Sequence, residues 1–357
     1  MVSQGATDLH IKAGELPRIR VRKKLAAIGK FKPDTSLLLS VLDSLLNDHQ
    51  KNLLGLAKAV DFAFNLEGLG RFRVNAFYQR GEVAVVLRVV KDKVPGFEEL
   101  GLPLVLQKVS LEDRGLILVS GPVGSGKSTT IAAIVNTINQ HEEKRIITIE
   151  DPIEYLHHDA KSFISQREIG LDTDSFPQAL RYVVRQDPDV IVIGEIRDAE
   201  TFHAALTSVE TGRLVVSSVH GKNVMQALER ILGFYPREQH GLILTDLSYN
   251  LKAVISQRLL PRRQGMGLVP ACEVLLINPS AGKALREGRL EKINQIMQNG
   301  TGEGMQTLNQ SLLALCQNDL ISKEEALAAS DNPHSLEMNM KGIFLDEGSG
   351  SILGRVD

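Results

Sequence analysis

Short apolar segments alternate with amphipathic helical segments through the middle of this chain of 357 residues, and no other feature constrains its fold as strongly. Four segments have the apolar, β-branched composition of buried strands: residues 116–120, 145–150, 190–194 and 214–218. Between them, apolar residues recur at helical spacing, as they do from Ile131 to Ile138. Strands that are apolar on both sides need helices on both faces of their sheet. The sequence therefore predicts an α/β fold with a buried, parallel-rich sheet.

The first hundred residues have a different pattern. Leucines at helical spacing predict one core-facing helix over residues 36–56. Three strand-like segments joined by hairpin turns follow, at residues 59–66, 71–78 and 83–90. We expect a small α+β domain with an antiparallel meander here, over residues 1–98. The locally basic residues 1–30 are expected to form a solvated strand or arm.

Proline and glycine punctuate residues 91–103, which indicates a linker between two domains. The second domain is predicted over residues 104–344, and its part from 224 to 342 is expected to be mostly helical. A flexible tail is expected at residues 345–357, because glycine and serine alternate there.

Composition narrows the classes of protein that this chain can be. Apolar residues make up 43% and charged residues 24%, which is typical of a globular protein. The chain has 41 basic and 43 acidic residues, and aromatic residues make up only 4% of it. Because the charges nearly balance and aromatic residues are few, no general nucleic-acid partner is expected. Cys272 and Cys316 are too far apart for a zinc motif and are expected to be reduced thiols. No apolar segment reaches the roughly 18–20 residues that a membrane-spanning helix requires.

A glycine-rich segment follows the first predicted strand. Residues 121–128 read GPVGSGKS and match the pattern G-x-x-x-x-G-K-[ST] of phosphate-binding loops. Glycines let the backbone approach phosphate, and the following helix adds the positive end of its dipole. In this pattern the lysine reaches the β- and γ-phosphates and the serine hydroxyl holds Mg²⁺. The predicted nucleotide-contacting residues are Gly121, Pro122, Val123, Gly124, Ser125, Gly126, Lys127, Ser128 and Thr129.

Each of the other three strands also ends in a residue that is useful to phosphate chemistry. Ligands of open parallel sheets bind beyond the carboxyl ends of the strands. Glu195 directly follows the third strand and fills the place of the magnesium-binding carboxylate. The position where Asp is usual is Gly194 here, so the longer Glu195 is expected to bind Mg²⁺ directly or through water. Glu150 is the predicted base for the attacking water, with Asp151 as second candidate, and His220 is expected to contact the γ-phosphate.

Structural roles were also open for these residues. Glu150 and Asp151 could cap a turn, and a lone histidine such as His220 is more often structural. His157 and His158 have no further metal ligands at suitable spacing and are interpreted as surface residues.

The ordered motifs resemble those of the secretion ATPases, and more narrowly those of the PilT/PilU retraction ATPases of type IV pili. The segments that carry the resemblance are GATDLHI (5–11), RFRVNAF (71–77), GPVGSGKSTT (121–130), ITIEDPIEY (147–155), DPDVIVIGEIRDAET (187–201), TGRLVVSSVH (211–220), AVISQRLLP (253–261) and GMQTLNQSL (304–312). They extend over nearly the whole chain, in the family's order.

The resemblance implies a PAS-like N-terminal domain and a RecA-like ATPase domain, assembled as a homo-hexameric ring with ATP bound between the domains. It also implies that arginines of the N-terminal domain reach the nucleotide. The matching positions are Arg73 and Arg88, with Arg80 as a weaker match. The implied activity is Mg²⁺-dependent ATP hydrolysis that powers pilus retraction and twitching motility.

The implied location and partners follow from the same resemblance. A family member would be cytoplasmic and peripheral at the inner-membrane pilus base, where it would act on a platform protein and in some cells beside a paralogous ATPase.

The sequence also departs from the family pattern. Arg213 stands where the family's first His-box histidine is usual, and residues 280–287 retain only the Arg-Glu end of the AIRNLIRE signature. Family chains also usually begin with a short helix before the first motif, whereas Met1 lies close to it here. Three alternatives therefore stay open: an accessory PilU-like ATPase, a pilus-extension or type II secretion ATPase, and a RecA-like DNA motor. The lack of a four-cysteine motif disfavours the second.

Overall fold

The computed structural model describes residues 1–21, 24–265, 267–345 and 352–353. The chain divides into two compact units. The first comprises Met1–Lys93 and Glu154–Leu156, and the second comprises Val94–Ile153 and His157–Asp357.

The N-terminal unit is built on a six-stranded sheet in which every neighbouring pair is antiparallel. The strand order is β3-β2-β1-β6-β5-β4. Its strands are β1 (Asp8–Lys12), β2 (Arg18–Val21), β3 (Lys24–Ala27), β4 (Ala59–Leu66), β5 (Gly70–Gln79) and β6 (Glu82–Val89). Its helices are α1 (Thr35–Leu45) and α2 (Asp48–Ala57). The meander β4–β6 matches the three predicted strands to within one or two residues, and the predicted arm contains β1–β3.

The expected single helix over residues 36–56 is wrong, because the structure has two helices there. Asn47 starts the second helix: its side chain accepts a hydrogen bond from Gln50 N at 2.9 Å, and Gln50 Oε1 accepts one from Asn47 N at 3.1 Å. This reciprocal capping box satisfies two helix-terminal N–H groups and so favours a new helix at this point. Both helices still bury leucines, such as Leu42 and Leu54, against the sheet.

The C-terminal unit contains a seven-stranded sheet of order β13-β12-β7-β11-β10-β8-β9. All neighbouring pairs are parallel except the edge pair β12–β13. The strands are β7 (Gly115–Ser120), β8 (Arg145–Glu150), β9 (Phe163–Glu168), β10 (Val190–Ile193), β11 (Leu214–Val219), β12 (Leu251–Pro261) and β13 (Leu268–Leu276).

Helices cover both faces of this sheet. Alternate residues of one strand enter different cores: Leu116 and Leu118 pack on one face, and Ile117 and Val119 pack on the other. The helices are α3 (Phe97–Leu100), α4 (Val105–Ser110), α5 (Lys127–His141), α6 (Phe176–Val183), α7 (Ala199–Glu210), α8 (Val224–Leu232), α9 (His240–Asn250), α10 (Pro279–Arg286), α11 (Ile293–Asn299), α12 (Leu308–Gln317), α13 (Lys323–Ala329) and α14 (Pro333–Met340). The predicted fold class, a parallel-rich α/β sheet preceded by a smaller α+β domain, is confirmed.

The mostly helical prediction for residues 224–342 is wrong in its middle. The long strands β12 and β13 pair antiparallel there, and β12 also pairs parallel with β7 in the sheet. Gly265 and Gly267, both with positive φ, lie in the connection between the two strands. Within β12 only Val254 and Ile255 are β-branched, so its local strand signal is weak.

Two short strands, β14 (Phe344–Leu345) and β15 (Ile352–Leu353), pair antiparallel in the region predicted as a tail. The rest of that tail, residues 346–351 and 354–357, lies outside the described residues. Cys272 and Cys316 are free thiols. Among the described residues, no helix is long and apolar enough to cross a membrane.

Candidate nucleotide site

Sheet order brings the predicted site residues to one edge of the C-terminal unit. The strands β7, β11, β10 and β8 are consecutive neighbours and run parallel. Their carboxyl ends lead into the glycine-rich loop, His220, Glu195 and Glu150 respectively. A further contact links the first two ends, since Ser120 Oγ donates a hydrogen bond to Gly221 O at 3.1 Å.

The glycine-rich loop adopts backbone angles that residues with a side chain rarely adopt. Gly121, Gly124 and Gly126 have φ angles of 148°, 78° and 91°. A Cβ on Gly121 would lie 2.4 Å from Ser125 Oγ, so the loop closes tightly on itself. The Val123 side chain is 90% exposed, which leaves the loop backbone as the element that can surround a ligand.

The helix that follows the loop suits an anion. α5 begins at Lys127, its N-cap Gly126 supplies no side-chain hydrogen bond, and its first turn contains no acidic residue. Its first N–H groups therefore have no competing carboxylate in that turn. Lys127 Nζ donates hydrogen bonds to Gly121 O at 2.9 Å and to Pro122 O at 3.0 Å, so it folds back over the loop. Ser125 Oγ is buried and has no hydrogen-bond partner in the described part of the chain. Together these features fit a polyphosphate.

His220 and Glu195 are in direct contact. His220 Nε2 lies 3.0 Å from Glu195 Oε2, and the other carboxylate oxygen of Glu195 contacts the Arg197 guanidinium. Burial lowers the pKa of His220, and the positive charges of Lys127 and Arg197 lower it further. A neutral imidazole that donates its Nε2 proton to the carboxylate agrees with that direction.

Glu150 is held at the end of β8 by two donors. Its Oε1 accepts hydrogen bonds from Thr148 Oγ1 at 2.7 Å and from Gln166 Nε2 at 3.0 Å. Asp151 is more exposed and its Oδ2 lies 3.8 Å from Arg197 Nη1. Of the two acids, Glu150 has the more defined orientation.

Arg73 and Arg88 belong to the N-terminal unit, where they pair across β5 and β6. They line a cavity together with Asp8, Asp61 and Asn75. Arg88 Nε donates to Asp8 Oδ1 at 2.7 Å, and Asp8 is only 3% exposed. Arg80 instead lies in the β5–β6 turn, where it and Gly81 both have positive φ, as a two-residue hairpin turn requires.

The interpretation of His157 as a surface residue is wrong. It is partly buried, and that burial lowers its pKa to about 4, with a smaller effect from His158. Its backbone N–H donates to Gln166 Oε1 at 2.9 Å, next to the Glu150 contact.

Sequence reasoning missed the partners of the site residues. Gln166 orients Glu150, Asp8 orients Arg88, Arg197 pairs with Glu195, and Gln257 contacts the glycine-rich loop. The signal for Asp8 and Gln257 was their presence inside motifs of the family pattern. No spacing in the sequence marks Gln166.

A glycine-rich loop that joins a buried strand to a helix with an uncapped N-terminus defines the class of P-loop nucleotide-binding proteins. Comparison with known proteins is more specific. The family model described as type II/IV secretion system protein matches residues 1–337, and the chain belongs to that family.

Relatives within the family are similar over nearly their full lengths. The type IV pilus ATPase PilU of Pseudomonas aeruginosa is 41% identical over 341 residues, which are 96% of this chain and 89% of PilU. The type IV pilus retraction ATPase PilT of the same species is 39% identical over 332 residues, which are 93% of this chain and 96% of PilT. A crystal structure of the pilus retraction motor PilT with bound ADP has a TM-score of 0.88 and 41% identity, and covers 94% of this chain and 96% of that one. The resemblance to PilT/PilU ATPases is confirmed.

Proposed function

We propose that this chain is an ATPase that drives type IV pilus retraction. The observation that carries the proposal is the glycine-rich loop beside the His220–Glu195 contact, on neighbouring strands of one sheet. Two relatives support the choice of process: PilT, named as a type IV pilus retraction ATPase, is 39% identical over 93% of this chain, and PilU, named as a type IV pilus ATPase, is 41% identical over 96% of it.

The loop residues 121–129 would hold the phosphates of ATP. Backbone N–H groups of the loop and of the start of α5 would bind the anion, and Lys127 would exchange its carbonyl partners, Gly121 O and Pro122 O, for phosphate oxygens. Bound ATP would supply the phosphoanhydride bond, and Mg²⁺ would neutralise charge on its phosphates.

Ser128 and Glu195 are the residues that would hold Mg²⁺. Ser128 is exposed in the first turn of α5, directly after Lys127. Since both Glu195 oxygens already contact Arg197 and His220, this carboxylate would reach the metal through water. The His220 contact ties Glu195 to the residue that would face the γ-phosphate.

Glu150 is the proposed base. Two hydrogen bonds orient its carboxylate at the end of β8, where it would orient or deprotonate a water molecule. Asp151 is the second candidate. Arg73 and Arg88 are proposed to stabilise the transferring phosphoryl group, since planar guanidinium groups match phosphate geometry.

The larger setting is also part of the proposal. We infer two functional domains, 1–98 and 104–344, in a homo-hexamer that is cytoplasmic, peripheral at the inner-membrane pilus base, and acts on a platform protein there. A paralogous ATPase would be a partner where one exists.

Nucleotide binding by the purified chain tests the site. Titration calorimetry with ADP and Mg²⁺ is expected to show binding by the wild type and none by Lys127→Ala, because the lysine supplies the main positive side chain of the loop. Lys108→Ala, an exposed lysine on α4, is the matched control and should bind normally. Equal binding by Lys127→Ala and the wild type would contradict the site.

Deletion of the gene tests the process. Loss of a retraction motor leaves cells with many pili and no twitching motility, whereas loss of an extension motor leaves cells without pili. Bald cells would contradict retraction. Failure of the purified chain alone to hydrolyse ATP, with normal ADP binding, would favour the accessory role.

A further inference from the structure

Gln257 on β12 contacts the glycine-rich loop from a fully internal position. It is 2% exposed, and it lies one residue beyond the last β12–β7 pair, Ser256–Ser120. Because β7 continues directly into the loop, this extra residue of β12 lies beside the place where the loop begins. The motif AVISQRLLP, which is one of the segments that carry the family resemblance, thus lies next to the proposed phosphate site.

Both polar atoms of the Gln257 side-chain amide form hydrogen bonds. Its Nε2 donates a hydrogen bond to Ser125 O at 2.6 Å, and its Oε1 accepts one from Thr130 Oγ1 at 2.8 Å. Ser125 lies within the loop, and Thr130 lies in the first turns of α5. One buried side chain therefore connects the loop to the helix that the loop leads into.

The bond to Ser125 O has a consequence for the next N–H group. In a planar trans peptide the C=O and the following N–H point in opposite directions. Holding Ser125 C=O against Gln257 therefore fixes Gly126 N–H on the side away from Gln257. Backbone N–H groups of such a loop are the groups that bind phosphate.

The glycines of the loop pack directly on Gln257. A Cβ on Gly126 would lie 2.9 Å from Gln257 Nε2, and one on Gly121 would lie 2.5 Å from Gln257 O. Gly121 is thus required by the backbone of β12 as well as by its positive φ angle, and Gly126 packs directly against the Gln257 amide.

We infer that Gln257 is a positioning residue of the nucleotide site: it holds the Ser125–Gly126 peptide in the orientation that binds phosphate before the nucleotide arrives. The inference rests on the proposed nucleotide site. It places no atom of Gln257 on the substrate, so its effect is expected on the affinity for nucleotide.

The test uses three single variants of the full chain and one double variant. Gln257→Met keeps the length of the side chain and removes both hydrogen bonds, and Thr130→Val removes one. Ser256→Ala is the matched control, because Ser256 is equally buried on the same strand and its Oγ has no hydrogen-bond partner in the described residues.

We expect Gln257→Met to raise the Kd for ADP about tenfold and Thr130→Val to raise it about threefold, with Ser256→Ala unchanged. The double variant should resemble Gln257→Met alone, since the two residues share one contact. In steady-state hydrolysis, Gln257→Met should raise KM about tenfold and change kcat less than threefold.

Several results would overturn the inference. One is wild-type affinity in Gln257→Met; another is a fall in kcat with unchanged KM. If Gln257→Met does not fold, wild-type affinity in a folded Thr130→Val variant would overturn it. The Lys127→Ala variant, titrated with ADP in the same series, distinguishes failure of the proposed nucleotide site from failure of the inference about Gln257. Normal ADP binding by Lys127→Ala would contradict the proposed nucleotide site itself. Loss of ADP binding in Lys127→Ala together with normal binding in Gln257→Met would contradict only the role of Gln257.

Discussion

Glu273 on β13 is a buried acid in the second unit, only 7% exposed. Its Oε2 accepts a hydrogen bond from Val224 N at 2.7 Å, at the start of α8. Burial raises its pKa to about 7, and the charge of Asp331 adds to the rise while that of Arg258 opposes it. The folded protein therefore keeps this proton through a pH range in which the unfolded chain loses it.

This shift predicts a stability that depends on pH. Because the pKa rises from 4.5 to about 7 on folding, the stabilisation is present below pH 4.5 and is lost as the pH rises through 7, by about 3 kcal/mol. Urea unfolding at pH 5 and pH 8 should show that loss in the wild type and much less of it in Glu273→Gln. Glu210→Gln, an exposed acid on α7, should keep the wild-type dependence. An unchanged dependence in Glu273→Gln would contradict the assignment.

Asp8 should determine how well Arg88 works. Burial opposes its ionisation, but hydrogen bonds from Arg88 and Thr7 outweigh burial and hold the pKa of Asp8 below its usual value. Asp8→Ala is expected to lower the free energy of unfolding by about 1–2 kcal/mol, because Arg88 and Arg20 lose their buried carboxylate partner.

Turnover provides the second readout for Asp8. Asp8→Ala should reduce kcat about as much as Arg88→Ala does, and the double variant should be no slower than Arg88→Ala alone. A strictly additive loss in the double variant would show that Asp8 does not act through Arg88.

Elements with a strong local signal were predictable. The strands β4–β6, β7, β8, β10 and β11 were predicted to within a few residues, since their apolar and β-branched patterns need no distant information. β12 and β13 were missed because their place is fixed by pairing with β7 and with each other. The break between α1 and α2 was missed because the leucine pattern is continuous across it. The capping box of Asn47 and Gln50 starts a new helix within that pattern.

The capping box gives a prediction for its own helix. Asn47→Ala removes the acceptor of Gln50 N and should destabilise the protein by about 1 kcal/mol. The loss is expected in thermal or urea unfolding, with ADP affinity unchanged. Asn52→Ala, an exposed asparagine inside α2, is the matched control and should not lose stability. No change in the stability of Asn47→Ala would show that the cap does not hold α2 in place.

The site was predictable at the level of strand ends and not at the level of their partners. A motif and four strand ends sufficed to place the loop, His220, Glu195 and Glu150 at one sheet edge. The contacts of Gln257 with Ser125 and of Gln166 with Glu150 depend on which strands become neighbours, and sequence spacing does not encode that order.

At the scale of the whole molecule, the proposed hexamer predicts a sixfold mass. Native mass spectrometry or light scattering with ATP and Mg²⁺ should give about six times the 39.2 kDa of one chain. Glu150→Ala should assemble equally well, because it is expected to bind ATP without hydrolysing it. A monomer that hydrolyses ATP freely would contradict the hexamer and the proposed action of Arg73 and Arg88.

The account depends most on the claim that four neighbouring strand ends form one hydrolytic site. Phosphate release from ATP by single variants from each end tests this most directly: Lys127→Ala, His220→Ala, Glu195→Ala and Glu150→Ala. We predict that each lowers turnover at least tenfold, and that ADP binding is lost only in Lys127→Ala. Full turnover in both glutamate variants would contradict the claim.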